Sequence, residues 1–391
     1  MTFCTPHVRT IVLLLALATP PRAAEPFRFP EAKQGPGELR YVEGVPVLTV
    51  AGTPDEIGAQ VYTLGVNPAA KLLDYPKDIL KQQVPVQFVR DQAWAGLLKK
   101  GEGLLGNFPK HHQDEFDAMV KAGGDRDRLL AANTMFDLKN ADLKEIFGCS
   151  SLIVDADRSA TGRPMFGRNL DFFPCGYLHD YGLVTVYKPK GMRPFLTIGY
   201  PGCVGSFSGM NAAGLSLASH EVFNPAVARK FNAGGVPFAL AYRRVLEECD
   251  TVAEAVKLLE TIERTTSTMV VLCGKEGGVI VEVSPDAVAV RKPVNGLCAT
   301  TNHFTTKDLA TKGQANTYKT LDRLALLSED GGGQKVGTDE LHRRLKATGQ
   351  GELTLQTMIF EPAAAKLHLA MGKGPSTELK LRTLDVKALL K

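Results

Sequence analysis

The sequence predicts an α+β chain in which helices precede, interrupt and follow a long run of strands. That order fits sheet-on-sheet packing under a cover of helices. Two observations carry the prediction. Residues 84–138 are helical in character, with Phe88, Ala93, Leu97, Leu98 and Leu104 as buried positions of one helix. Phe116, Met119 and Val120 mark a second, and Leu129, Leu130, Met135, Phe136 and Leu138 a third. After Cys149 the character changes: residues 183–187, 195–200, 215–222, 269–273, 279–283 and 287–291 are alternating or β-branched, with Gly- and Pro-rich turns between the last three.

Taken in order, residues 25–34 are rich in proline and charge and read as extended. Residues 40–50 read as a strand pair with Gly44-Val45-Pro46 between its arms. Thr53-Pro54-Asp55-Glu56 is a helix start, with Thr53 as N-cap, proline in the first turn and Glu56 as capping-box partner. That helix is expected to run to about residue 73, with a break near Pro68. Lys110-His111-His112 reads as a solvated basic face. The two histidines are adjacent rather than one turn apart, which argues against metal ligation from one helical face. Residues 202–209 are small and read as a strand-connecting loop. A helix over 237–248 precedes a second capping box, Thr251-x-x-Glu254, whose helix carries Val252, Ala255, Val256, Leu259 and Ile262 on one face. Residues 316–327 read as a further helix, and 353–361 with 366–371 as a closing hairpin.

Composition excludes some classes of function. With 391 residues, 44% hydrophobic and 23% charged, the chain can bury a sizeable core. A net charge of +4 and the lack of basic runs interleaved with aromatics imply no nucleic-acid partner. The apolar run at residues 11–18, after His7 and Arg9 and before Ala23-Ala24, reads as an export signal over residues 1–24. It is too short to span a bilayer, so a periplasmic or secreted protein with no membrane span is expected. Seven cysteines at irregular spacing form neither a disulfide framework nor a zinc motif, although one or two disulfides stay open. No metal or organic cofactor is expected.

The chemistry concentrates in residues 148–172. Residues 151–154 read as one strand and 165–172 as the next, so the hairpin between them would bring Arg168 and Asp171 beside Cys149. A cysteine that follows glycine can attack that glycine's carbonyl. The N→S shift gives a thioester, water opens it, and Cys149 becomes a new N-terminus. Its α-amine, with an ordinary pKa of about 7.7–8.0, can then act as base toward its own thiol. Arg168 would lower the thiol pKa, Asp171 would hold the amine, and Gly148 would tolerate a strained backbone at the cut. Phe172 and Phe173 are candidates for an acyl pocket. On these residues alone a buried structural Cys149 and an ordinary Arg168–Asp171 cross-strand pair are slightly favoured over this chemistry.

Gly148-Cys149-Ser150-Ser151 followed by Gly167-Arg168-Asn169-Leu170-Asp171-Phe172 resembles the penicillin acyltransferase-like family of N-terminal-nucleophile hydrolases, relatives of the choloylglycine hydrolases and acid ceramidase-like amidases. Residues 48–58, Met210-Asn211-Ala212-Ala213-Gly214-Leu215 and Thr300-Thr301-Asn302-His303-Phe304 extend the resemblance in family order. It implies a four-layer αββα sandwich of two mostly antiparallel sheets. It also implies self-cleavage at Gly148–Cys149 into a mainly helical light piece, 25–148, and a heavy catalytic piece, 149–391. Cys149 would be the nucleophile, flanked by Arg168 and Asp171, and Asn302 would donate to the oxyanion. The substrate would be a small N-acyl amide, joined by an acyl acceptor where transfer replaces hydrolysis. Two departures stand out. Glu221 falls where the relatives carry a residue near the oxyanion, so a backbone N–H or His220 would have to serve instead. The late family arginine is expected to be absent, because Thr320 stands three positions before Arg323-Leu324. The same fold with an inert, uncleaved Cys149, acting as an exported binding or scaffold protein, is the alternative. Oligomeric state is left open.

Overall fold

The structure, a computed structural model, describes residues 26–142, 147–223, 230–310 and 315–391. The signal expected over residues 1–24 lies outside them. The chain enters through strands β1 (Ala32–Gln34), β2 (Gly37–Val42) and β3 (Val45–Gly52). The β2–β3 turn is Glu43-Gly44, both at positive φ (51° and 78°), and this places Pro46 inside β3 rather than in the turn. Helix α1 (Pro54–Gln60) starts with the expected capping box: Glu56 N–H donates to Thr53 and Glu56 accepts from the Thr53 N–H. Such a cap stabilises by about 1 kcal/mol. Then come α2 (Tyr75–Gln83), α3 (Gln87–Leu105), α4 (Lys110–Lys121) and α5 (Arg126–Asp142). Leu97, Leu104, Phe116, Met119 and Leu130 are buried as the periodicity requires. Phe88 is not: at the first turn of α3 it is 69% exposed.

Strands β4 (Phe147–Val154), β5 (Met165–Phe172), β6 (Leu183–Pro189), β7 (Phe195–Gly199), β8 (Ser208–Asn211) and β9 (Ser216–Glu221) follow. After α6 (Phe238–Glu248) and the capped α7 (Val252–Thr261) come β10 (Thr268–Gly274), β11 (Gly277–Val283), β12 (Val288–Arg291) and β13 (Leu297–Thr300). The chain closes with α8 (Thr320–Leu327), α9 (Thr338–Ala347), β14 (Thr354–Glu361), β15 (Lys366–Met371), β16 (Arg382–Asp385) and α10 (Val386–Leu390).

Among the described residues these strands form two sheets. One has ten strands in the order β1-β2-β3-β6-β7-β8-β9-β10-β11-β12. The other has six, in the order β13-β4-β5-β14-β15-β16. All neighbours are antiparallel except β3 and β6. The sheets pack face to face through β4, β5, β9, β10 and β11. Helices α6 and α7 cover the ten-stranded sheet, and α8 and α9 the six-stranded one. The protein is therefore the expected four-layer αββα sandwich. Helix α9, which no motif in the sequence marked, closes the outer core with Leu341 and Leu345 against Leu152, Val154 and Ile359. Because β5 is covered on both faces, all eight of its residues are buried.

Candidate functional site

Strand period decides what faces what. Along β4, Leu152 and Val154 point to the outer core, and Ser150 Oγ lies 3.3 Å from Thr348 Oγ1 beyond α9. The alternate residues, Cys149, Ser151 and Ile153, therefore point between the sheets. In the β4–β5 ladder Ser151 lies opposite Arg168, Cys149 opposite Leu170 and Gly148 opposite Asp171. Arg168 shares the inner face with Cys149, whereas Asp171 sits on the outer face, beside Gly148.

The Arg168 guanidinium is fully buried. Its Nη2 donates to Cys149 Sγ at 3.1 Å, and its Nη1 to the Phe207 carbonyl at 3.0 Å and to Ser208 Oγ at 2.6 Å. The stretch read from sequence as a loop thus ends in β8 and anchors the cation. Burial raises the Cys149 thiol pKa above the usual thiol value; Arg168 opposes this without overcoming it. Asp171 accepts from Gln350 Nε2 at 2.7 Å and from Thr354 Oγ1 at 2.6 Å. A register shift between Thr354 and Gln356 brings Thr354 opposite Asp171. Gly148 carries no positive φ. Its glycine answers a close approach rather than strain: an added Cβ would lie 2.1 Å from Gln350 Nε2 and 3.1 Å from Asp171 Oδ2, so the Gln350 amide would have to swing off Asp171.

Asn302 is pinned through its main chain. Its N–H donates to Thr320 Oγ1 at 2.9 Å, and its carbonyl accepts from the Phe223 N–H at 2.7 Å. Its Oδ1 accepts from the Cys149 N–H at 2.9 Å and from Arg323 Nη2 at 2.7 Å, while Nδ2 donates to the Glu221 carbonyl at 3.0 Å. Two donors converging on one side-chain atom fix the amide orientation, because a flip would set NH₂ against a guanidinium. His303, next along, lies with Nδ1 2.9 Å from Thr320 Oγ1 and takes no part in the cavity.

Arg323 is the residue that sequence reasoning missed. Its Nη1 donates to the Cys149 carbonyl at 2.7 Å and lies 3.9 Å from Asp171 Oδ2, so the arginine of the Arg323-Leu324 pair, given no role by the sequence, stands at the site, while position 320 is a threonine as read. Tyr318 and Lys319, at φ 48° and 52°, turn the chain into α8, and the Tyr318 carbonyl accepts from Arg323 Nε at 3.0 Å. Thr320, read as the departure from the family pattern, is what fixes Asn302.

Cys149 opens onto a cavity of about 30 Å³ walled by Phe136, Leu170, Phe172, Phe207 and Phe238, with His220 and Glu221 at its polar end. A second apolar cavity of about 40 Å³, lined by Leu73, Tyr75, Met135 and Tyr200, lies behind the shared walls Phe136, Phe172 and Phe207. These three rings form a cluster with centroids 5.0–6.1 Å apart. Phe172 is thus at the cavity, but Phe173 is not. One position on along an extended chain it points outward, is 37% exposed and lines neither cavity. His220 Nδ1 donates to the Thr301 carbonyl at 3.0 Å, leaving Nε2 to accept from Ser151 Oγ at 2.8 Å. Burial, with Arg168 adding to it, keeps this ring neutral by holding its pKa well below the usual value. Both His220 nitrogens are therefore engaged, and at Glu221 it is the main-chain carbonyl that meets Asn302.

Among the described residues no helix is long and apolar enough to cross a membrane, and the six cysteines are free thiols. His111 and His112 are not a plain solvated face. Adjacent helical positions diverge by about 100°, but Glu247 of α6 reaches between the two rings.

Residues 158–375 match the family described as acyl-coenzyme A:6-aminopenicillanic acid acyl-transferase, a match that begins nine residues after Cys149. A stretch of 272 residues, 63% of this chain, is 26% identical to an uncharacterized protein of Archaeoglobus fulgidus, and the chain spans only 44% of that relative's length. Solved structures similar to this chain include a mutant conjugated bile acid hydrolase from Clostridium perfringens (TM-score 0.44, 15% identity, covering 61% of this chain and 93% of that one). An N-acylethanolamine-hydrolyzing acid amidase ortholog from Caenorhabditis elegans gives 0.42, 15%, 55% and 93%. Penicillin V acylase from Agrobacterium tumefaciens gives 0.40, 14%, 61% and 88%.

Proposed function

Because the chain belongs to the acyl-coenzyme A:6-aminopenicillanic acid acyl-transferase family, we propose that it is a self-processing cysteine amidase or acyltransferase acting on linear amide bonds of an N-acyl substrate. The observation that carries this reading is the setting of Cys149. Its thiol meets a buried guanidinium, its N–H meets Asn302, and its Sγ stands at the wall of an apolar cavity.

In maturation, Cys149 Sγ attacks the Gly148 carbonyl carbon. The Gly148–Cys149 C–N bond breaks, the nitrogen takes up the thiol proton, and a thioester forms. Water then opens the thioester to a Gly148 carboxylate, a free thiol and the Cys149 α-amine. Arg168 offsets thiolate charge as it builds. Asn302 Oδ1 holds the Cys149 N–H and Arg323 the Cys149 carbonyl, both on the Cys149 side of the cut, and Asp171 lies beside Gly148 on the other. In turnover the amine takes the thiol proton, Sγ attacks the substrate amide carbonyl, and the Asn302 Nδ2 hydrogen not given to the Glu221 carbonyl is assigned to the developing oxyanion. The leaving amine departs with a proton, and water or an acceptor amine resolves the acyl-enzyme. The apolar run at residues 11–18 supports export as the setting. The burial that raises the Cys149 thiol pKa favours the rival reading, an inert cysteine, for as long as the chain is uncut.

Two experiments test this reading. Gly148→Ala is expected to slow fragmentation on the order of 10²-fold, the scale of a misplacement of about 1 Å. Adding Gln350→Ala, which removes the colliding amide, should restore much of the rate when mass spectra are followed over time. Undisturbed cleavage in the single variant would sink the assignment of the cut. Phe136→Ala is expected to join the two cavities. Against a ladder of N-acyl amides it should move the best kcat/KM to acyl chains several carbons longer. An unchanged profile would remove the cavity from the acyl site.

A further inference from the structure

A cluster remote from Cys149 carries a second site. His111 Nε2 and His112 Nε2 lie 3.1 and 2.9 Å from the same atom, Glu247 Oε2, and the three donor atoms all lie within 4.8 Å of one another. The other carboxylate oxygen, Oε1, accepts from Arg243 Nε at 2.8 Å, which orients the group and leaves Oε2 aimed between the rings. Glu247 and His112 are fully buried, whereas the His111 side chain is 29% exposed and leaves a path from solvent.

Charge balance points the same way. The Arg243 guanidinium is shared between two buried carboxylates, Glu115 (Oε2 at 2.6 Å) and Glu247 (Oε1 at 2.8 Å). With both carboxylates ionised one negative charge is left over, in a region where an uncompensated ion is costly. In the metal-free geometry His112 Nε2 donates to Glu247 Oε2, and His112 Nδ1, buried without a partner, is the nitrogen that can take over the ring hydrogen and free the Nε2 lone pair for an ion.

We propose that His111, His112 and Glu247 bind a divalent transition-metal ion of the zinc type, tying α4 to α6. A tetrahedral zinc with bonds of about 2.1 Å sets its donors about 3.4 Å apart, so the two Glu247 edges need to open by about 0.3–0.5 Å and the His111–His112 edge, within 4.8 Å, to settle at the same length. Two imidazoles and a carboxylate suit zinc, cobalt or nickel, whereas calcium and magnesium take oxygen donors. Water completes the fourth position on the His111 side. That the ion would join two separate chains rests on the self-cleavage reading, since the histidines precede Cys149 and the glutamate follows it. That the ion binds does not.

The test uses the full chain carrying Cys149→Ala, so that the nucleophile cannot compete for metal and the state of cleavage cannot decide the result. Titration with Co²⁺ is expected to give visible bands of four-coordinate intensity that saturate at one equivalent, and Zn²⁺ should displace them and raise the unfolding temperature. Adding His111→Ala should weaken Zn²⁺ binding at least about tenfold and abolish the bands. His111→Asn serves as the second variant should the alanine form fold poorly, with the same expected loss. Bands that persist in both histidine variants, near-ultraviolet thiolate charge transfer, or no Co²⁺ bands at all would overturn the proposal and leave a purely hydrogen-bonded histidine–glutamate cluster.

Discussion

The purified mature chain is expected to give two masses, one ending at Gly148 and one beginning at Cys149, and Cys149→Ala a single uncut mass. The same substitution should remove amide hydrolysis by a factor on the order of 10⁶, the scale set by loss of a nucleophile that acts as one unit with its base. Both effects follow from one atom. In the proposed mechanism Sγ is the attacking group in maturation and in turnover, and the amine that serves as base exists only after the cut. Cys149→Ser separates the steps: an oxygen nucleophile can still cleave slowly, but it forfeits the easier thiol ionisation that turnover needs. Two equal masses patterns from wild type and Cys149→Ala, each a single uncut chain, would shift the weight to the inert-cysteine reading.

Asn302→Ala is expected to lower kcat by about 10²–10³, the cost of one lost oxyanion donor. It should also lower stability by about 1–3 kcal/mol, because the Cys149 N–H and Arg323 Nη2 lose a buried acceptor. Asn302→Asp tells the two apart. It keeps the oxygen that meets Cys149 and Arg323 but replaces the donor near Glu221 with a second oxygen. Its unfolding midpoint should stay closer to wild type than that of the alanine variant, while its kcat falls as far. A kcat within threefold of wild type in Asn302→Ala would remove Asn302 from the chemistry.

Features carried by local rules were legible in the sequence. The Thr53 and Thr251 capping boxes stand where the residues placed them, because a cap is closed within four positions. The hairpin that sets Arg168 beside Cys149 followed from strand period and a turn-rich link. Arg323 was missed for a different reason. It reaches Cys149 from a helix 174 positions along the chain. The bend that aims it uses left-handed Tyr318 and Lys319, neither a residue type that signals such a turn. Gln350 and Thr354, which hold Asp171, sit at a register shift that no pattern shows. Phe88 and Phe173 were misplaced because apolar character does not itself say that a side chain is buried. His111 and His112 were dismissed by counting positions on one helix, when the third member of their group comes from another.

The parallel pair β3–β6 has a consequence for the life of the molecule after a cut at Gly148. β3 comes before that bond and β6 after it, yet six residue pairs of one ladder run between them. A heavy piece that lost its companion would present the row of N–H and C=O groups along β6 as an open edge, carrying Val184 and Val186. Such an edge recruits another strand, from a second copy if need be. On the proposed cleavage the short piece would double as an edge guard. The heavy piece expressed by itself is expected to aggregate rather than wait in solution for its partner, and the order of synthesis, short piece first, keeps β6 from ever being bare.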